Sequence, residues 1–297
     1  MAKSVFKNLN TRRVMRMTKD DLNLKLKEWI TEQRLQEYEK STLDRYEANV
    51  TKFIEWLPDD REITKELLID FKEYLGEELG STNTINTYIV EVNKFLKWVG
   101  LRDCVVKKIK TQSKQSNEDV LSLTDYKRLL RFAKRFGDHQ LYYIMKILAM
   151  TGIRISELRY FKVENMESYY IKVFNKGKER TIIVRQDLMR ELKRYAKEQG
   201  IKEGYLFPSP VVKGQMVNVS TIWRHMKRLA GASKVKKSKV HAHSFRHLFA
   251  QVFLNTYTDS ITELADILGH KSLETTRLYT RTSDAQKRSK LEQMDFV

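Results

Sequence analysis

His241-Ala242-His243-Ser244-Phe245-Arg246-His247 is the stretch on which the reading of this chain turns. Apolar spacing predicts a helix over 244–256, and His243 and Arg246, three residues apart, fall on one helical face. A guanidinium offers two parallel donors and an imidazole exchanges a proton near neutral pH, so the pair suits a phosphate. His243 and His247 also have the four-residue spacing of some helical zinc sites. No carboxylate lies near them in sequence, the chain has a single cysteine, and the adjacent arginine opposes a bound cation. No metal is expected.

Working outward, three further segments carry chemistry. In Thr151-Gly-Ile-Arg-Ile-Ser-Glu-Leu158 an apolar helix (Ile144, Leu148, Met150) breaks at Gly152 and a new one begins near Ser156. Arg154 then sits in a turn beside a buried element; a surface arginine paired with Glu157 is the other reading. Two β-rich runs, 169–174 and 180–185, joined by Asn175-Lys-Gly-Lys-Glu179, predict a hairpin with Lys176 and Lys178 at its tip. Turn lysines are usually no more than solvated. In Leu268-Gly-His-Lys-Ser-Leu-Glu-Thr-Thr-Arg-Leu-Tyr279 the glycine ends one helix, His270 sits in the connection and Ser272 can cap the next. Tyr279 comes about two turns along it, where a core tyrosine is equally ordinary.

Taken together and in this order, Arg154, the hairpin lysine, His243-x-x-Arg246, Gly269-His270 and Tyr279 resemble the tyrosine recombinase (phage integrase) family over about 118–297. The resemblance implies that Arg154 and Arg246 are the two catalytic arginines, Lys176 the hairpin lysine and His243 and His270 the two histidines. It makes Tyr279 the nucleophile and Glu157 a supporting acid. Ser244 and Phe245 stand where Asp and Leu are more frequent, and the tip reads Asn-Lys-Gly-Lys where Gly-Lys-Gly-x-Lys is commoner, so Lys178 stays a neighbour to Lys176 in that role. The implied activity is site-specific cleavage and rejoining of DNA through a 3′-phosphotyrosyl bond, by four protomers acting on two sites.

The chemistry is consistent with those roles. A tyrosine attacking a phosphodiester builds charge on the nonbridging oxygens, which fixed cations can meet. A phenol of pKa ~10 needs a base such as His243, and the departing 5′-oxygen needs an acid such as Lys176. The bond energy is kept in the phosphotyrosine, so neither cofactor nor ATP is expected, and the chain has no Gly-rich Walker loop.

Toward the N-terminus the pattern is helical. Thr42, Tyr46, Val50, Lys52, Phe53 and Trp56 recur as Thr84, Tyr88, Val92, Lys94, Phe95 and Trp98, with Tyr, Val, Phe and Trp at i, i+4, i+7 and i+10 in both copies. These aromatics predict the core of a four- or five-helix bundle rather than a base-stacking surface. By resemblance, the bundle is a SAM-like core-binding domain. The predicted organisation is an extension at 1–21, the DNA-binding bundle at 22–100, a linker at 101–119 and a catalytic domain at 120–297. The whole is mainly α, with mixed α/β character and one small antiparallel sheet in the catalytic part. A tail, 282–297, has an amphipathic pattern (Ala285, Leu291, Met294) and is expected to dock on a neighbouring subunit. The two domains are expected to clamp duplex DNA.

Charge agrees. The net +18 is concentrated: 22 basic against 19 acidic residues in 1–117, but 34 against 19 in 118–297. Residues 204–258 hold no Asp or Glu, and Lys234, Lys236, Lys237 and Lys239 within them are expected to contact DNA phosphates. No run approaches the ~20 apolar residues of a membrane span, no secretory leader is read at the start, and one cysteine fits a reducing cytoplasm. A type IB topoisomerase or a catalytically silent architectural protein of the same fold are the rival readings. The bundle and tail argue against the first, and the full set of six side chains against the second.

Overall fold

The computed structural model describes residues 17–59, 62–111, 120–175, 178–257 and 259–270, with the single positions Thr276 and Glu292. The chain falls into two compact units divided between Ser113 and Lys114.

The first unit holds α1 (Lys19–Leu35), α2 (Lys40–Trp56), α3 (Lys65–Glu78) and α4 (Thr82–Trp98). Helix α1 opens on a reciprocal cap: Thr18 Oγ1 accepts from the Asp21 amide and Asp21 accepts from the Thr18 amide. Helix α1 therefore begins inside the expected extension, and Met17 already packs on the core. The internal echo is a core device. Tyr46, Val50 and Phe53 from α2 and Val92 and Phe95 from α4 are buried. The repeated lysines lie over the opposite helix's tyrosine, with Lys52 Nζ 5.7 Å from the Tyr88 ring and Lys94 Nζ 5.0 Å from that of Tyr46.

The expected linker needs correction over its first half. Val106 is buried, and Leu101, Cys104, Val105 and Ile109 pack against the same core. Two α4 asparagines grip this extended stretch as a neighbouring strand would. Asn93 donates to Val106 O at 2.8 Å and accepts from its amide at 3.2 Å. Asn86 does the same for Ile109 at 3.0 and 2.8 Å. An amide side chain supplies one donor and one acceptor, the pairing a lone β-segment needs.

The second unit contains α5 (Leu123–Arg135), α6 (His139–Thr151), the hairpin β1 (Tyr170–Asn175) and β2 (Lys178–Ile183), α7 (Gln186–Glu198), α8 (Val219–Ala232), α9 (Ala242–Thr256) and α10 (Ile261–Leu268). Helix α6 is apolar on most sides and sits centrally, burying Leu141, Ile144, Met145, Ile147 and Leu148. Helix α9 adds Phe245 and Leu248 to that core. The strands pair antiparallel from Tyr170↔Ile183 to Asn175↔Lys178, so they run closer to the tip than the expected five-residue joint allowed. Parity places Ile171, Val173, Ile182 and Val184 in the core. It also turns Arg180 inward. Mainly helical architecture with one small antiparallel sheet is thus as the sequence implied. Among the described residues no helix is long and apolar enough to cross a membrane.

Candidate active site

Two helix ends build the site. Helix α6 stops at Gly152 and α10 at Gly269, both left-handed, with φ of +63° and +64°. Glycine is required at the first for space as well: a Cβ there would meet Phe249 at 2.6 Å and Leu268 at 2.7 Å. Both helices leave terminal carbonyls without an intrahelical donor.

Arg246 takes them up. It is 1% exposed, donates from Nη1 to Gly152 O and from Nη2 to Leu268 O, both at 2.7 Å, and so stitches the two ends together. A cation at two helix C-termini also lies where both dipoles are negative.

Arg154 stands two residues beyond Gly152, at the start of the 3₁₀ turn Ile155–Tyr160. Glu157, 1% exposed, accepts from the Arg154 amide at 2.8 Å and from its Nη1 at 3.3 Å. Nη2 reaches Gly269 O at 3.4 Å, while the side chain stays 39% exposed. Both readings of this residue hold at once: it pairs with Glu157, and it is held at the edge of a buried element.

His270 follows Gly269. Its Nε2 lies 2.7 Å from Arg246 Nη2 and its Nδ1 2.8 Å from Thr276 Oγ1. Arginine can only donate, so Nε2 is the acceptor; the ring proton is on Nδ1 and is donated to Thr276. Burial, with Arg246, Arg154, His243 and Arg180 around it, pushes the His270 pKa down to about 4. The ring is neutral at physiological pH.

His243 is exposed on the first turn of α9, one turn from Arg246. Atoms packed about its ring lower its pKa, and Arg246, His241 and Arg154 add to this. His247 lies edge-on to His243, with ring centroids 4.8 Å apart, and burial drives its pKa to about 4. Among the described residues no group of three or more His, Cys, Asp or Glu is arranged to hold a metal.

Arg154, Glu157, Arg246 and His270 are thus brought together by direct contacts, and His243 stands on the same helix as Arg246. Lys176 and Tyr279 lie outside the described residues, as does the tail apart from Glu292. Lys234, Lys236 and Lys237 are exposed between α8 and α9, while Lys239 is half-buried 4.0 Å from Asp125. Sequence reasoning missed Arg180, which binds Glu157 through Nε at 3.1 Å and Nη2 at 2.5 Å. Its signal was available: a charged residue on the inward face of a strand, in step with Ile182 and Val184. Thr276 was missed too. It is fully buried, and the sequence offers no cue that its hydroxyl serves His270.

The chain is similar to proteins already known. Residues 119–286 match the model of the Phage integrase family. The tyrosine recombinase XerA of Pyrococcus furiosus is 26% identical over 279 residues, covering 92% of this chain and 94% of that one. XerD of Pseudomonas aeruginosa is 32% identical over 152 residues, 48% of this chain and 50% of its own. Among solved structures, the crystal structure of XerA recombinase superposes with a TM-score of 0.51 at 26% identity, covering 93% of this chain and 99% of that one. A lambda integrase tetramer bound to a Holliday junction gives 0.73 at 18% identity, over 89% and 77%, a likeness of fold. With a family match over more than half its length, and relatives named as tyrosine recombinases along nearly all of it, this chain belongs to the phage integrase family of tyrosine recombinases.

Proposed function

We propose that the protein cuts and rejoins specific DNA sites through a covalent bond between Tyr279 and a 3′-phosphate. The phenol oxygen attacks the scissile phosphorus and gives its proton to His243. The P–O5′ bond breaks, and Lys176 protonates the departing oxygen. A second 5′-hydroxyl reverses the steps, so bond energy is conserved and no ATP enters. Arg154 and Arg246 oppose the charge that grows on the nonbridging oxygens, the part a metal ion takes in other phosphoryl-transfer sites.

The observation that carries this reading is the meeting of Arg154, Arg246 and His270 at the ends of α6 and α10, from positions 116 residues apart in the chain. His270 enters with Nε2 occupied as an acceptor. An arriving phosphate opposes the surrounding cations and raises the ring's pKa. Once protonated, His270 turns from acceptor to donor and Arg246 Nη2 is released toward the phosphate.

The protein's partners in this reading are double-stranded DNA and further copies of itself, four on two sites, in the cytoplasm. A neighbour of the same fold is described as a tetramer on a Holliday junction, which supports the assembly. The exposed lysines 234, 236 and 237 are candidates for phosphate contacts, and the tail 282–297 for subunit docking. The test is Tyr279→Phe on a suicide duplex that traps cleavage. Unchanged DNA affinity with loss of the covalent adduct is expected. An undiminished adduct would overturn the assignment.

A further inference from the structure

Three successive carbonyls at the end of α10 are each taken by a different arginine. Arg180 Nη1 donates to Ile267 O at 2.7 Å, Arg246 Nη2 to Leu268 O at 2.7 Å and Arg154 Nη2 to Gly269 O at 3.4 Å. Two of these arginines are the proposed catalytic pair. The third comes from the hairpin, and its stem crosses Gly269 so closely that a Cβ there would lie 2.6 Å from Arg180 Cδ.

Arg180 also occupies Glu157. Its Nε and Nη2 take Oε1 and Oε2 in the two-pronged geometry that only arginine offers, at 3.1 and 2.5 Å. Arg154 shares the same two oxygens, through Nη1 and its own amide. A carboxylate this deeply enclosed needs cations and donors around it. With Arg180 removed, Glu157 would lean on Arg154 more strongly and draw that guanidinium off the phosphate position.

We propose that Arg180 is a positioning residue for DNA cleavage: it holds Glu157 and the end of α10 so that Arg154 stays available to the phosphate and His270 keeps its place. This rests on the cleavage chemistry proposed above. Arg180 acts on charge opposition through its neighbours and not on proton delivery from Lys176, although the two are only four residues apart in sequence.

The test uses full-length protein with Arg180→Met, Arg180→Lys and the double variant Arg180→Met/Glu157→Gln. Single-turnover adduct formation is followed at saturating suicide duplex, beside DNA affinity and thermal melting. The Met variant is expected to cleave about tenfold to a hundredfold more slowly, by analogy with the loss of an outer partner behind a metal ligand, with DNA affinity little changed. Adding Glu157→Gln should recover part of the rate, since a neutral amide no longer competes for Arg154. Lys, which keeps the charge but not the fork, should fall between, and it serves alone if Met does not fold. A duplex with a 5′-bridging sulfur, whose thiolate leaves without a proton, should not rescue the Met variant.

Wild-type rates in both single variants would overturn the proposal, as would full rescue by the sulfur substrate or a double variant slower than Arg180→Met. Failure of the cleavage reading looks different: the wild-type protein would form no adduct, or would keep it with Tyr279→Phe.

Discussion

Arg246 Nη2 and His270 Nε2 lie 2.7 Å apart, and because only the arginine can donate, the contact fixes His270 as a neutral acceptor before DNA arrives. The two groups expected to face the phosphate first face one another. In the proposed mechanism, that arrangement ties cleavage to proton movement in a measurable way.

If the phosphate turns His270 into a donor while Thr276 keeps the Nδ1 proton, DNA binding takes up a proton. Isothermal titration near pH 6 in buffers of different ionisation enthalpy should show net uptake, and His270→Gln should remove that component. Uptake identical in the variant would show that another group takes up the proton and that His270 stays neutral.

The depressed histidines also shape stability. His247 and His270 have folded-state pKa values of about 4, below the unfolded value of 6.5. The unfolded chain therefore binds more protons between pH 6.5 and 4. The stability they contribute is complete above that window and is lost as pH falls through it, at most about 1.4 kcal/mol per pH unit for each ring. Melting temperature from pH 7 to 4.5 should fall less steeply in His247→Gln and His270→Gln than in the parent. Parallel curves would contradict the depressed values.

The docking of residues 101–110 onto the first unit predicts where that unit can be cut. Asn86→Ala and Asn93→Ala each remove a donor and an acceptor from the backbone of this segment. Each should lower stability by about 1–2 kcal/mol and expose the 105–110 stretch to faster amide exchange. Exchange no faster than in the parent would restore the segment to the role of linker.

Lys234, Lys236 and Lys237 are exposed, while Lys239 is half-buried near Asp125. Replacing the first three by alanine should flatten the salt dependence of DNA binding by up to ~0.9 log units for each phosphate no longer neutralised. Lys239→Ala should change the slope less. An unaltered slope in the triple variant would show that this stretch faces away from DNA.

Much of this was legible because periodicity and chemistry coincide. Helix α9 was readable from its apolar spacing, and His243-x-x-Arg246 carried its meaning in so short a span. Gly152 and Gly269 announced both helix ends, since few other residues take a positive φ there. Contacts across the fold were not legible. Arg180 finds Glu157 only after the hairpin folds, and Thr276 finds His270 only when α10 has ended. The docked stretch 101–110 was hidden for another reason: its apolar side chains stand among lysines, and its partners are two asparagines that resemble ordinary surface residues. The expected tip of the hairpin was too long because Asn175 and Lys178, poor strand formers by composition, still pair.

In the proposed reaction Arg154, Arg246 and His270 gather around the phosphate that Tyr279 attacks. A structure of the protein trapped on a suicide duplex tests it directly. The expected result is a 3′-phosphate joined to Tyr279, with its nonbridging oxygens within hydrogen-bonding distance of both guanidiniums and of His270 Nε2, and Arg246 no longer bonded to that nitrogen. A phosphate linked to a different side chain, or one seated away from the two arginines, would contradict it.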